Sequence, residues 1–318
     1  MDQITVTMPE LSFGALLRHW RTTRKLSQLD LALESTVSQR HLSFLESGRA
    51  RPSQQMVMQL AEVLEVPLRE RNSLLTAAGF APFYRQRGLS DRDMAPVQDA
   101  LNRMLAHHEP YPAVVVDRHY NVLLENRAFA ALIGLFGDPA QVWAACCADG
   151  PANLLRLMFH AAGARPFIRN FDEVGPLMIQ RVYRELAATH NDQALSFIEE
   201  LRRDATIPAQ WVNAIPTTAS PPVLPLVLGK ERVELRLFSM ISTFGTPYDI
   251  TTDEIRVETF FPEDAATERL LKSLAMSVSL RIHSRIRLSV CRVGNEFSVR
   301  INSHLRRISE FDGCRSRA

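Results

Sequence analysis

The 318-residue sequence predicts two domains of different class, an all-α domain of five short helices followed by an α+β domain. Three observations predict it. From Ser12 to Gly79 apolar residues recur at helical spacing and the pattern is broken at short intervals. From Ala95 onward β-branched, strand-like runs alternate with helical ones. Between the two, residues 81–94 carry Pro82, Gly88 and the charged Arg85, Arg87, Asp91, Arg92 and Asp93 with no apolar period, the composition of a connector. The expected organisation is a helical domain at 1–80, a linker at 81–94, an α+β domain at 95–271 and a basic tail at 272–318.

The helices follow in order. Ser12 is placed to cap a first helix with the stripe Phe13, Leu16, Leu17 and Trp20. Ser27 caps a second, with Leu29, Ala32 and Leu33 expected on its core side. Ser38 caps a third, with Leu42 and Leu45 inward and Gly48 as its stop. Pro52-Ser53 opens a fourth bearing Met56, Val57, Leu60, Ala61 and Leu64, and Pro67 opens a fifth that ends near Gly79.

The second and third helices, joined by a tight turn with a buried Val37, have the form of a helix-turn-helix, in which the start of the second helix meets base edges in the major groove. Those residues are Gln39 and Arg40, suited to adenine and guanine respectively. Ser43 and Phe44 lie one turn on, with Phe44 in reach of a thymine methyl. The stretch resembles the Xre/Cro-like, lambda-repressor-like helix-turn-helix domains of bacterial regulators. Leu31-Ala32, Val37-Ser38, Leu45-Glu46-Ser47-Gly48, Arg49 and Arg51-Pro52-Ser53 carry the resemblance. It implies that Gln28 grips a phosphate, with Arg49 and Arg51 placed to do likewise. The DNA-binding candidates are thus Gln28, Ser38, Gln39, Arg40, Ser43, Phe44, Arg49 and Arg51. One position departs from the family pattern: Thr36 stands where glycine is usual, and a positive φ there would strain a β-branched residue.

Charge neither demands nor forbids this reading. Residues 1–80 hold nine basic and eight acidic side chains, so non-specific affinity for DNA should be modest and its salt dependence shallow. Overall the chain is near neutral at +2, with 46% hydrophobic and 23% charged residues, which excludes a polycation and a long disordered chain. Cys146, Cys147, Cys291 and Cys314 make no CxxC pair or metal spacing and read as reduced thiols. The start of the chain has no signal-peptide pattern and no apolar run reaches membrane length, so a cytoplasmic, membrane-free protein is expected.

In the second domain a helix bears Val97, Leu101, Met104 and Leu105. Pro112 then opens a strand at Ala113–Val116, Asp117-Arg118-His119 turns it, and Val122–Leu124 returns before Asn126 caps another helix. Strand, turn, strand, helix is the opening of a PAS-like sensor. Helices are expected between Gln141 and Trp211, and late strands at Val223–Leu228, Val233–Met240 and Glu254–Phe260. Five strands with helices between them predict a sheet with one covered face and a small-molecule cavity beneath it.

Here the sequence resembles the ligand-binding domain of MmyB-like regulators. The resemblance rests on Pro112–Arg118, Asn121-Val122, Asn126–Phe129, Asn153–His160, Arg165-Pro166-Phe167, Phe238–Pro247 and Glu258–Pro262, and covers Ala95 to Leu271. It implies a transcription regulator with a PAS-like sensor holding a fatty-acid-like ligand and no other cofactor. For such a ligand, Leu154, Leu157, Met158, Phe159 and Phe167 are candidates for an apolar slot, with His160, Arg165 and Arg169 at its polar end. The same stripe also reads as ordinary core, and Arg165 as a partner of Asp172 or Glu173. Ser242 and Thr243 are a second candidate site.

No GxSxG, HExxH, P-loop or GxGxxG opening a helix is present, so no enzyme is expected. The expected partners are a double-stranded DNA operator, bound as a homodimer, and an apolar small-molecule effector. The alternative is a DNA-binding protein whose second domain is a protein-interaction module without ligand. In the tail, residues 276–318 hold nine arginines against three acids. Alternation through Leu280, Ile282, Ile286, Leu288 and Val290, and again at Phe297, Val299 and Ile301 beyond Gly294-Asn295, reads as a hairpin, a basic arm or a non-native extension, of which the last is preferred.

Overall fold

A computed structural model describes residues 12–148, 150–188, 192–213, 223, 225–231, 233–285, 288–293 and 296–301. Its first domain is five helices: α1 (Phe13–Thr23), α2 (Gln28–Glu34), α3 (Gln39–Glu46), α4 (Gln54–Val63) and α5 (Leu68–Ala77). Serine hydroxyls start four of them. Ser12, Ser27, Ser38 and Ser53 accept from the amides of Ala15, Asp30, His41 and Met56, and Asp30 answers Ser27 to close a capping box. Helix α5 starts at Pro67, which has no side chain to offer. Gly48 (φ 71°) and Gly79 (φ 88°) take the left-handed conformation expected of helix stops.

Leu17, Leu31, Leu42, Leu45, Leu60 and Leu74 fill the core of this domain. Helix α2 differs from expectation. Its inner residues are Leu31 and Ala32, while Leu29 and Leu33 are 51% and 71% exposed. A seven-residue helix with leucine at 29, 31 and 33 carries two apolar faces, and packing against α3 selects the one holding Leu31. Val37 in the turn is half-buried rather than buried.

One buried polar network crosses this core. The Glu46 carboxylate, with a fully buried side chain, accepts from Arg21 Nε (2.6 Å) and Nη2 (3.0 Å), from Gln28 Nε2 (2.8 Å) and, more weakly, from Arg18 Nε (3.4 Å). Burial opposes its ionisation, but the hydrogen bonds from Arg21 and Gln28 outweigh it and hold the carboxyl below its ordinary value. The network ties the end of α3 to α1 and to the first residue of α2.

The second domain begins with α6 (Ala95–His107), β1 (Ala113–Val116), β2 (Val122–Glu125) and α7 (Arg127–Ile133). Then come α8 (Pro139–Cys146), α9 (Leu154–Phe159), α10 (Phe171–Ala188), α11 (Asp192–Arg203) and α12 (Ala209–Asn213). It ends with β3 (Pro225–Lys230), β4 (Val233–Ser242), α13 (Ile250–Glu254), β5 (Arg256–Pro262) and α14 (Ala265–Arg285). The strands form one antiparallel sheet in the order β2-β1-β5-β4-β3.

Both faces of the sheet centre are covered, not one. Ala113, Val115, Ile255 and Val257 pack on Leu101 and Leu105 of α6, while Val114, Val116, Leu237 and Phe260 meet α7 on the other side. This is why β1 is apolar at every position rather than alternating. Asn126 joins the parts: its side-chain oxygen accepts from the amides of Ala113 and Phe129, and its amide nitrogen donates to the carbonyls of Leu105 and Tyr111.

In the tail, α14 continues to Arg285, where alternation suggested strand from Leu280. Strand follows only later, where β6 (Leu288–Val293) pairs with β7 (Glu296–Ile301) in a separate two-stranded sheet. Gly294-Asn295 and residues 302–318 lie outside the described residues.

Two predictions follow from the helical domain. Thr36 has φ 51°, and its hydroxyl accepts only a secondary bond from Gln59 Nε2 (3.1 Å), which donates at 2.6 Å to Ser35 O. Replacing it with glycine relieves strain of about 1–2 kcal/mol, so T36G should raise the melting temperature, read by calorimetry. Glu46 has a lowered carboxyl pKa, so its stabilisation is complete above the unfolded value of about 4.3 and is lost as pH falls through the folded one. E46A should cost about 3–5 kcal/mol at neutral pH and flatten the acid limb of the stability profile, measured by urea unfolding.

Candidate functional site

The first candidate surface is the start of α3. Gln39 and Arg40 are exposed, immediately beyond the Ser38 cap. The Arg40 guanidinium lies 5.5 Å from the Phe44 ring centre, one turn along, which orients it without using its hydrogen-bond donors. Ser43 and Phe44 are half-buried, while Arg49 and Arg51 are exposed just past the helix. The Arg49 amide donates to Phe44 O at 2.8 Å, so the chain turns back over the helix end and holds this arginine beside it. Gln28 has one amide hydrogen committed to Glu46 and keeps its other donor and its oxygen. All eight candidates come from α2, from α3 with its Ser38 cap, and from the turn that follows.

The second candidate is a cavity of about 110 Å³ between the sheet and the helices on its α7 side. Phe129, Ile133 and Phe136 wall it from α7 and its exit, Leu154, Leu157 and Met158 from α9, Met178 from α10, and Leu226, Leu228 and Phe260 from the sheet. Three polar residues reach it: Tyr120, Ser239 and Glu258. Tyr120 is buried with φ 64°, an unusual conformation for an aromatic residue. Its hydroxyl donates to Glu185 Oε1 (2.9 Å), and the guanidinium groups of Arg181 and Arg256 lie 5.3 and 5.8 Å from the centre of its ring. Burial raises its phenol pKa well above the ordinary value.

Of the ligand candidates, Leu154, Leu157 and Met158 line this cavity. Phe159 points away, into the cluster of Phe197, Ile198 and Leu201. A six-residue helix between two cores presents a face to each, and α9 does so. Phe167 stacks on Phe136 from outside, with ring centres 5.0 Å apart. His160 is exposed, and its ring accepts from the Ala162 amide. Arg165 is engaged neither with Asp172 nor with Glu173 but with Asp204 (3.2 Å) and Thr206. Arg169 is exposed and rests against Gly229, where a Cβ would come within 2.2 Å of its Nε. Ser242 and Thr243 lie on the opposite face of the sheet, beside Leu101 and Met104. The arginine cluster and the apolar slot are therefore separate places. Tyr120, Ser239 and Glu258 were not among the ligand candidates; Ser239 and Glu258 fell within motifs that carry the family resemblance, and Tyr120 carried no signal.

A third feature joins the domains. Helix α13 is five residues long, yet Asp253 Oδ2 accepts from the Leu68 amide (2.9 Å) and thereby caps α5. Glu254 takes Arg69 in two bonds (2.6 and 2.9 Å) and Arg118 in one (3.1 Å). Asp249, which caps α13, also binds Arg87 of the linker at 2.9 Å. Strand β5 begins two residues after Glu254, and its residues Glu258 and Phe260 line the cavity.

Among the described residues no cluster of His, Cys, Asp and Glu is able to hold a metal ion. No helix among them is long and apolar enough to cross a membrane. Cys146 and Cys147 are buried and unbonded, and burial pushes the Cys146 thiol up to about 11.

Comparison with known proteins places two family models on the chain. Residues 17–71 match a helix-turn-helix family, and residues 97–274 match the MmyB-like transcription regulator ligand binding domain. No curated protein matches. Among solved structures the chain is similar to an RNA-binding light-oxygen-voltage receptor, at 13% identity and a TM-score of 0.24, over 84% of this chain and 63% of that one.

The reading surface predicts a division of labour. R40A or Q39A should cost about 1–3 kcal/mol of discrimination at one base pair. R49A should weaken binding to all sequences alike and reduce the salt slope by about one. Salt titrations on specific and random duplexes separate the two.

Proposed function

The chain belongs to the MmyB-like transcription regulators, and from that premise we propose that it binds an operator as a homodimer and adjusts that binding to an aliphatic small molecule in its second domain. It is a DNA-binding regulator with a ligand-binding domain, and neither of its two families is an enzyme family. The finer reading has Gln39 and Arg40 facing bases while Gln28, Arg49 and Arg51 contact phosphate. Half-sites about one helical turn apart would match a two-fold dimer. The ligand is fatty-acid-like in having a single flexible chain and one polar end. The protein acts where the DNA is, in the cytoplasm.

One observation supports coupling above the others. The segment from Asp249 to Phe260 touches the DNA-reading domain at one end and the cavity at the other. A ligand that moves β5 must strain or relax the contacts of Asp253 and Glu254 with α5, and this is the differential free energy that allostery requires.

The test has two arms. Operator sequences are selected from random duplex DNA, and protein purified from its host is examined by native mass spectrometry for a bound aliphatic molecule. DNA affinity that changes when that molecule is stripped and restored supports the proposal; ligand-free protein whose DNA affinity ignores every aliphatic probe sinks it. E254Q should leave DNA affinity within about threefold while shrinking the ligand's effect on it by a similar factor.

A further inference from the structure

The cavity is lined by a buried carboxyl group, Glu258, that takes no hydrogen bond from the described residues. Along β5 the side chains alternate: Val257 packs toward α6, while Arg256, Glu258 and Phe260 face the cavity side. Glu258 sits mid-sheet, opposite Val114 of β1 and Ile241 of β4, and is only 7% exposed. Among the described residues no side-chain or backbone donor reaches its carboxylate, and no cation comes within 4.0 Å. Yet no fully enclosed side-chain polar atom among them lacks a partner. The two statements agree if the carboxyl oxygens keep some accessible surface, and Glu258 is among the residues that line the cavity.

The nearby arginines are committed elsewhere. Arg256 donates to Glu185 Oε1 at 2.8 Å and Arg181 to the same oxygen at 3.4 Å, while both lie over the ring of Tyr120. Arg181 feels Glu258 through space but spends its hydrogen bond on Glu185, so a carboxylate arriving from the cavity would meet another carboxyl group and guanidinium groups already engaged. A donor would find an acceptor whose burial is unfavourable until it is paired.

Resting on the reading of this cavity as the ligand site, we propose that the ligand is an aliphatic molecule whose head donates hydrogen bonds, a primary amine or a hydroxyl, and that Glu258 receives that head. The tail runs along Ile133, Leu157, Met158 and Leu228, and Ser239 is the second polar group within the cavity.

The experiment titrates full-length protein calorimetrically with octylamine, 1-octanol and octanoate, which share one tail and differ in the head. Wild type should bind octylamine about tenfold more tightly than octanoate, with octanol between them. E258Q, of equal size, should remove the preference for the amine. Octanoate binding as tightly as octylamine to wild type overturns the proposal without needing the variant. An unchanged ranking in E258Q overturns the role of Glu258. If none of the three binds, the ligand-site reading itself fails, which is a different result from binding with the wrong preference.

Discussion

Helix α5 cannot finish its own amino end. Pro67 offers no side chain, and the Leu68 amide takes its acceptor from Asp253, in the other domain. A missing cap costs about 1 kcal/mol, and the paired bonds from Arg69 to Glu254 are of the directional, charge-assisted kind. The apolar residues of the two domains form separate clusters, so this junction is polar where the cores are not. Hydrogen bonds weaken steeply with distance and angle, whereas apolar contacts tolerate sliding. A polar junction therefore registers small displacements that an oily one would absorb.

The same economy marks the second domain. Asn126 spends its side-chain oxygen and nitrogen on four backbone groups from α6, the approach to β1, β1 itself and α7. With one half of the sheet so held, the cavity forms where the helices α7, α9 and α10 splay across the other face. Its lining is apolar except for Tyr120, Ser239 and Glu258, and beyond Tyr120 the side chains of Glu185, Arg181 and Arg256 interlock. The strained backbone of Tyr120 persists because its hydroxyl is bonded to Glu185 and two guanidinium groups pack on its ring.

How much of this was legible in the sequence follows from range. Caps are local, and Ser12, Ser27, Ser38 and Ser53 were readable as helix starts because each bonds three residues ahead. The face of α2 was not, because Leu29 and Leu33 satisfy helical spacing as well as Leu31 and Ala32 do, and only a partner helix decides between them. In α9, Leu154, Leu157 and Met158 were recognisable as apolar, but the turn of Phe159 toward α11 depends on residues some forty positions away. Arg165 looked free for a ligand because its partner Asp204 is equally distant. Glu258 stood in a family-like motif yet was not read as a site: an acid in a strand is usually solvated, and its burial follows from the neighbours β1 and β4, which join β5 from opposite ends of the domain.

The three residues between the last contact with α5 and the cavity carboxylate also restrict how this region can vary in length. Glu258 faces inward by strand parity. Losing or gaining one residue between Glu254 and Glu258 would turn the carboxylate toward α6 and set Val257 or its replacement in the cavity. Insertions and deletions here should therefore come only in pairs, and related chains of differing length should keep an odd number of residues between the two acids.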